Sequence, residues 1–233
     1  MKEAKEYDEY LESCGISVHD LSKLYYFSTN MSPELTKALI TETDEILKDF
    51  NSKDYSPSLA GKIYDGKQIL IEPALYGEKP IAELIHNLES MAFAYVSRFI
   101  KKAVKFRDAA EEYKFKCKIN DMWIVSQEAH DYNPPHNHRT TAPTGLSGVL
   151  YLKVPSQISE SKKDGWFHFS WGSDISSDLG RLTFADHLDI LPKKSMVLMF
   201  PKNMCHEVFP FRGEGERRCI AFNINVFSEN KRE

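Results

Sequence analysis

The alternation of apolar and polar residues changes period part-way along the chain. Up to about Lys116 apolar side chains recur at helical spacing, and beyond it they alternate or run together as in strands. Ser32-Pro33-Glu34 supplies an N-cap, a proline in the first turn and an early acid. Leu35, Leu39, Ile46 and Phe50 follow on one face, which predicts an amphipathic helix packed through that stripe. Lys62–Ile71, with Asp65-Gly66 between strand-forming residues, reads as a short hairpin. A second helix is expected from Pro80 to about Lys105, burying Ile81, Leu84, Ile85, Leu88, Met91, Ala92, Tyr95 and Phe99, and helical patterning continues through Tyr113.

The period-2 region predicts strands at Ile119–Val125, around His136–His138, and at Ser147–Val154, Trp166–Trp171, Gly180–Phe184, Ser195–Pro201, Glu207–Phe211 and Arg217–Val226. In the first of these Trp123, Val125 and Gln127 share a face. Helices followed by strands imply an α+β protein whose second half is a sandwich or barrel, and about eight strands is the number of a double-sheet jelly roll. The expected division is 1–116, helical with the hairpin, and 117–233, the jelly-roll core, forming one integrated domain.

Composition narrows the function only by exclusion. With 233 residues, 42% hydrophobic and 27% charged, the chain is of ordinary globular type and can bury a sizeable core. A net charge of −4 gives no general attraction to nucleic acid or anionic membrane. No apolar run is long enough to cross a bilayer, and the charged start Met1–Glu6 is not read as a signal peptide. Cys14, Cys117, Cys205 and Cys219 show no CxxC spacing, so a zinc ribbon or redox pair is not expected and reduced cytoplasmic thiols are. The Ile81–Phe99 helix carries enough apolar surface to serve a homodimer interface.

The chemistry concentrates in Tyr132-Asn133-Pro134-Pro135-His136-Asn137-His138. The prolines disfavour helix, and on an extended segment His136 and His138 project to the same side as a pair of metal ligands. A third candidate is His206, which follows the buried run ending at Pro201 and a short polar turn. Arg217 opens the last apolar strand, where a planar guanidinium suits bidentate binding of a carboxylate. Alternation admits only one of Arg217 and Arg218 to the inner face. His130, His168 and His187 read as surface or strand residues, and His19 and His86 as solvent-facing.

These pieces, in this order, resemble the iron- and 2-oxoglutarate-dependent oxygenases, and within them a branch with phage-encoded members related to prolyl hydroxylases. The resemblance rests on Pro135-His136-Asn137-His138, Ser147–Leu152, Arg181–Asp186, Phe200-Pro201 with His206-Glu207-Val208, and Arg217 with Ala221-Phe222-Asn223, covering roughly residues 117 to 227. It implies a double-stranded β-helix (jelly roll) with the N-terminal helical part packed against its major sheet, His136 and His206 as ligands of Fe(II), and Arg217 as partner of the distal carboxylate of 2-oxoglutarate. It also implies dioxygen as cosubstrate and succinate and carbon dioxide as products. Gln127, Tyr132 and Asn133 are expected near the cosubstrate, with Trp123 and Tyr151 as walls.

The family's usual first motif is His-x-Asp, and here His138 stands in the third position. Either His138 completes the metal site, or a carboxylate such as Asp186 or Asp131 does. A three-histidine set also describes a catalytic zinc centre. Two further readings therefore stand beside the oxygenase: a cupin-like three-histidine metal enzyme that does not use 2-oxoglutarate, and a non-catalytic jelly-roll binding module. The substrate, a protein side chain such as prolyl or a small molecule, would be selected by loops such as Gln157–Gly165 and Gly172–Leu179.

Overall fold

The computed structural model describes residues 25–72, 80–103, 115–138, 145–171 and 187–228, the side chains of 98–103 excepted. In chain order these residues form β1 (Phe27–Asn30), α1 (Pro33–Lys48), β2 (Lys67–Ile71), α2 (Pro80–Ala103), β3 (Phe115–Gln127), β4 (Asn133–His136) and β5 (Gly145–Lys153). They continue with β6 (Phe167–Ser170), β7 (His187–Ile190), β8 (Met196–Pro201), β9 (Cys205–Val208) and β10 (Arg217–Ser228). Two sheets result: a six-stranded one in the order β1-β8-β5-β10-β3-β2 and a four-stranded one in the order β4-β9-β6-β7. Every strand pair is antiparallel. This is the double-stranded β-helix, with helices on the outside of its larger sheet.

Alternation along the central strands builds two cores back to back. Met122 and Ile124 on β3, Leu150 and Leu152 on β5, and Ile220, Phe222 and Ile224 on β10 face the helices, meeting Leu35, Leu39, Ile46, Ile81, Leu84, Leu88 and Ala92. The intervening residues Val125, Val149, Tyr151, Cys219, Leu198 and Phe200 face the smaller sheet, where they meet Phe167 and Phe169. Each fully buried Leu, Ile or Phe contributes about 1.5–3 kcal/mol, so both faces of the six-stranded sheet are strongly specified.

α1 starts as its cap predicts: Ser32 Oγ accepts from Leu35 N at 3.1 Å. It ends at Lys48, with Asp49 N donating to Glu45 O at 3.1 Å. Phe50 lies beyond that end and is fully exposed, so it does not continue the apolar stripe. The periodicity extended past the point where the backbone leaves the helix.

The expected Lys62–Ile71 hairpin does not form. Only β2 is a strand, and it pairs with β3, while Lys62 bridges to Tyr132. The turn between them is held from outside: Asp131, fully buried, accepts from Tyr64 N (2.7 Å), Gly66 N (3.0 Å) and Glu128 N (2.9 Å). A distant carboxylate thus does what a hairpin partner would have done. The expected strand Gly180–Phe184 lies outside the described residues, and β7 supplies an edge strand that the pattern had not marked.

Candidate metal centre

β4 and β9 are paired with His136 opposite His206. Next on β9's other side runs β6, with Phe169 opposite His206. His138 follows two residues after His136, and its backbone N–H donates to Lys202 O at 2.9 Å, tying it to the end of β8. The three imidazoles converge: one ligand nitrogen from each lies within 4.8 Å of the others. They form the one group of three or more His, Cys, Asp or Glu residues so disposed among the described residues.

The hydrogen bonds set the tautomers. His136 Nδ1 lies 2.7 Å from Pro134 O, and His206 Nδ1 lies 3.0 Å from Met204 O. A carbonyl accepts only from N–H, so each Nδ1 carries the proton and each Nε2 presents a lone pair. His138 Nε2 and His206 Nε2 are 3.3 Å apart. Two nitrogens each about 2.0–2.1 Å from a shared ion would lie roughly 3.0–3.4 Å apart, so this spacing suits a common cation.

The surroundings keep all three rings neutral. Burial, then the charge of His136, depress His206 to about 3, against the hydrogen bond to Met204 O. Burial, then the charges of His136 and Lys202, depress His138 to about 4, with Asp121 opposing them. Burial also lowers His136, against its hydrogen bond to Pro134 O. Phe167 stacks on the His206 ring with centroids 5.4 Å apart, and Phe200 meets it edge-on at 4.7 Å. Trp123 tilts against His138 at 5.9 Å.

The histidines line one cavity together with Trp123, Gln127, Asn133, Tyr151 and Arg217, among others. Arg217 is 1% exposed. Its Nη1 donates to Gly165 O at 2.8 Å, its Nη2 donates to Gln127 Oε1, and its Nε has no partner. The Tyr151 hydroxyl is likewise buried and unpartnered. Gln127 Nε2 donates in turn to Asn133 Oδ1 at 2.9 Å, linking the guanidinium to the strand that carries His136. A buried cation with an open donor beside an open hydroxyl is a receptor for an anion.

Of the residues singled out by sequence, His136, His138, His206, Arg217, Gln127 and Asn133 meet around this cavity, with Trp123 and Tyr151 in its wall. Tyr132 does not line it; its backbone is engaged with Lys62. Asp131 is committed to the 64–66 turn and is not among the grouped metal-ligand residues. Asp186 lies outside the described residues. In the Trp166–Trp171 run, Phe167 walls the cavity together with Phe200 and Val208. Sequence reasoning gave no site role to Ser147, which alternates with Val149 and Tyr151 on the cavity face of β5 and could have been found by that parity.

Residues 121–223 match the model of a family described as a putative 2OG-Fe(II) oxygenase. Among solved structures the chain is similar to a Pseudomonas putida prolyl-4-hydroxylase, with 16% identity, TM-score 0.52, and 88% of this chain and 95% of that one covered. It is also similar to a Trichoplax adhaerens prolyl hydroxylase in complex with a hypoxia inducible factor peptide fragment (14%, TM-score 0.56, 96% and 93%). A third is HygX from Streptomyces hygroscopicus with nickel and 2-oxoglutarate bound (13%, TM-score 0.56, 87% and 82%). At these identities the likenesses establish the fold. No curated protein sequence matches the chain.

Proposed function

We propose that this chain, which carries a 2OG-Fe(II) oxygenase domain across residues 121–223, is an iron(II)- and 2-oxoglutarate-dependent oxygenase that hydroxylates its substrate. The observation that carries the reading is one cavity lined both by three convergent imidazoles and by a buried arginine with an open donor.

The residues fit the absent groups. Imidazole nitrogens suit Fe(II), and three of them leave half of an octahedral shell for a chelating keto acid and dioxygen. His136, His138 and His206 would hold the ion. Arg217, through its unpartnered Nε, and Tyr151, through its hydroxyl, would hold the distal carboxylate of 2-oxoglutarate. When bound, iron and 2-oxoglutarate would supply, with dioxygen, the oxidative decarboxylation that yields succinate, carbon dioxide and an oxidant able to attack a C–H bond.

The chain's own contribution is positioning, charge and dryness. The carbonyls of Pro134 and Met204 keep His136 and His206 in the tautomer that offers Nε2. Gln127 and Asn133 orient Arg217 from behind. Phe167, Phe200, Val125, Val149 and Val208 exclude water from the space between the two ends of the cavity. His138 stands where the family's usual motif has a carboxylate, so the protein shell of a bound ion would be uncharged and the dianionic keto acid would supply the balancing charge.

Anaerobic addition of Fe(II) and 2-oxoglutarate should produce a visible charge-transfer band, and admission of air should release succinate. Absence of both overturns the reading. The neutral three-histidine set itself favours one alternative, a metal enzyme that does not use 2-oxoglutarate. In that case metal binds, no band forms, and Arg217→Ala leaves turnover unchanged.

A further inference from the structure

The cavity-facing side of the six-stranded sheet does not end at the histidines. Arg217 and Gln127 are opposed at one end of the β10–β3 ladder, and Ala221 and Trp123 are opposed beside the metal site. One step further along the same face come Asn223 and Asp121, again directly opposed, with Ser147 of β5 on the other side of Asn223. This row lies six residues from Arg217, roughly 20 Å at about 3.3 Å per residue. The two ends of the sheet face therefore carry different groups: an anion receptor at Arg217, and here a mixed polar set.

That set contains charges and polar atoms that need partners. Asn223 is 5% exposed and its Oδ1 has no hydrogen-bond donor. Lys202 is also 5% exposed, and its ammonium donates to the neutral Asn225 Oδ1 at 2.5 Å. Among the described residues no carboxylate forms an ion pair with it. Burial lowers its proton affinity and the Asp121 charge opposes this. The lysine stem lies over Gly145, where a Cβ would come within 2.9 Å of Lys202 Cε, so a residue without a side chain makes room for it.

An ammonium with donors to spare, a carboxylate and an open amide oxygen, arranged beside His138, complement a group that carries both charges. We propose that Lys202, Asp121 and Asn223 bind the zwitterionic head of a free α-amino acid, which is the substrate. Lys202 receives its carboxylate, and Asp121 with Asn223 Oδ1 receives its ammonium. Its side chain then extends over Trp123 toward the three histidines. This rests on the oxygenase reading and narrows it from any side chain to free amino acids. A peptide, whose internal residues lack both charges, would leave Lys202 and Asn223 unsatisfied.

The test uses the protein loaded with Mn(II) and 2-oxoglutarate, titrated with each of the twenty free L-amino acids by calorimetry and thermal shift. Amino acids that bind are compared with their N-acetyl and carboxamide derivatives. At least one free amino acid should bind, each blocked derivative should bind at least tenfold more weakly, and Lys202→Met and Asn223→Leu should each weaken binding at least tenfold. In parallel, the visible band with Fe(II) and 2-oxoglutarate should persist in both variants, which reports an intact fold and cosubstrate site independently of the substrate. Binding of no free amino acid by protein that shows the band overturns the proposal. So does equal binding of the blocked forms, or unchanged affinity in Lys202→Met. If Lys202→Met loses the band through misfolding, Asn223→Leu decides alone. Absence of the band in the unaltered protein overturns the oxygenase reading and this proposal with it.

Discussion

Arg217 and Arg218 are consecutive on β10 and serve opposite faces of the same sheet. Arg217 turns into the cavity, where it meets Gln127 and Gly165. Arg218 turns toward α1, where its Nη1 donates to Asp44 at 2.6 Å and to Thr43 at 3.0 Å, while its Nε and Nη2 hold Glu216 at 2.6 and 2.7 Å. Burial works against the Glu216 carboxylate, yet the hydrogen bonds from Arg218, Ser126 and Lys153 bring it below the usual carboxylate range.

Two substitutions should separate these roles. Arg217→Lys keeps the charge and loses the planar fork, so KM for 2-oxoglutarate should rise at least about tenfold with little change in melting temperature. Arg218→Ala should leave that KM alone and lower stability by about 3 kcal/mol, because Glu216 loses its buried partner. Steady-state succinate assays and thermal melts on both variants check the pair.

Removing a histidine should act on the ion first. His136→Ala and His206→Ala are each expected to abolish stoichiometric iron, measured by elemental analysis, and to lower succinate formation by at least about two orders of magnitude. Loss of outer partners alone commonly costs about 10–100-fold. His138→Ala should retain part of the iron, since His136 and His206 still converge on one point.

Acid should destabilise the metal-free protein through the same rings. His138 and His206 titrate at about 4 and about 3 in the fold, against an ordinary 6.5. Between those values the unfolded chain binds more protons than the folded one, so stability is full above about pH 6.5 and falls as pH drops toward 4. Chemical denaturation between pH 8 and pH 4 should show this decline, and His206→Ala should flatten it.

Gly148 on β5 lies opposite Phe222 of β10 and Met199 of β8. A Cβ there would approach Leu198 O and Phe222 Cζ to 2.4 Å. Gly148→Ala should lower stability by about 1–3 kcal/mol through overpacking, seen as a lower urea midpoint.

What could be read from sequence was what depends on local geometry. Two prolines and a one-residue spacing sufficed to direct His136 and His138 to one side, and strand parity admitted only one of Arg217 and Arg218 to the inner face, the register of the family resemblance favouring Arg217. What escaped depends on partners far along the chain. The Lys62–Ile71 segment looked like a hairpin because of Asp65-Gly66, but the donors of its turn go to Asp131, more than sixty residues away. Phe50 followed the helical period and missed the core because the backbone departs at Asp49. Lys202 and Asn223 were given no role of their own because a lysine after a proline and an asparagine in a strand acquire meaning only when β3, β5 and β8 bring them together.

β4 is fastened to its sheet through β9 alone, with an irregular register between Asn133 and His136. Two of its four residues are prolines, which have no N–H to offer a neighbour. An ion held by His136 and His206 would therefore act as a rivet across a seam that the main chain closes poorly. Loading and unloading of metal would then govern how readily this flank of the barrel is clipped by proteases or exchanges its amide hydrogens.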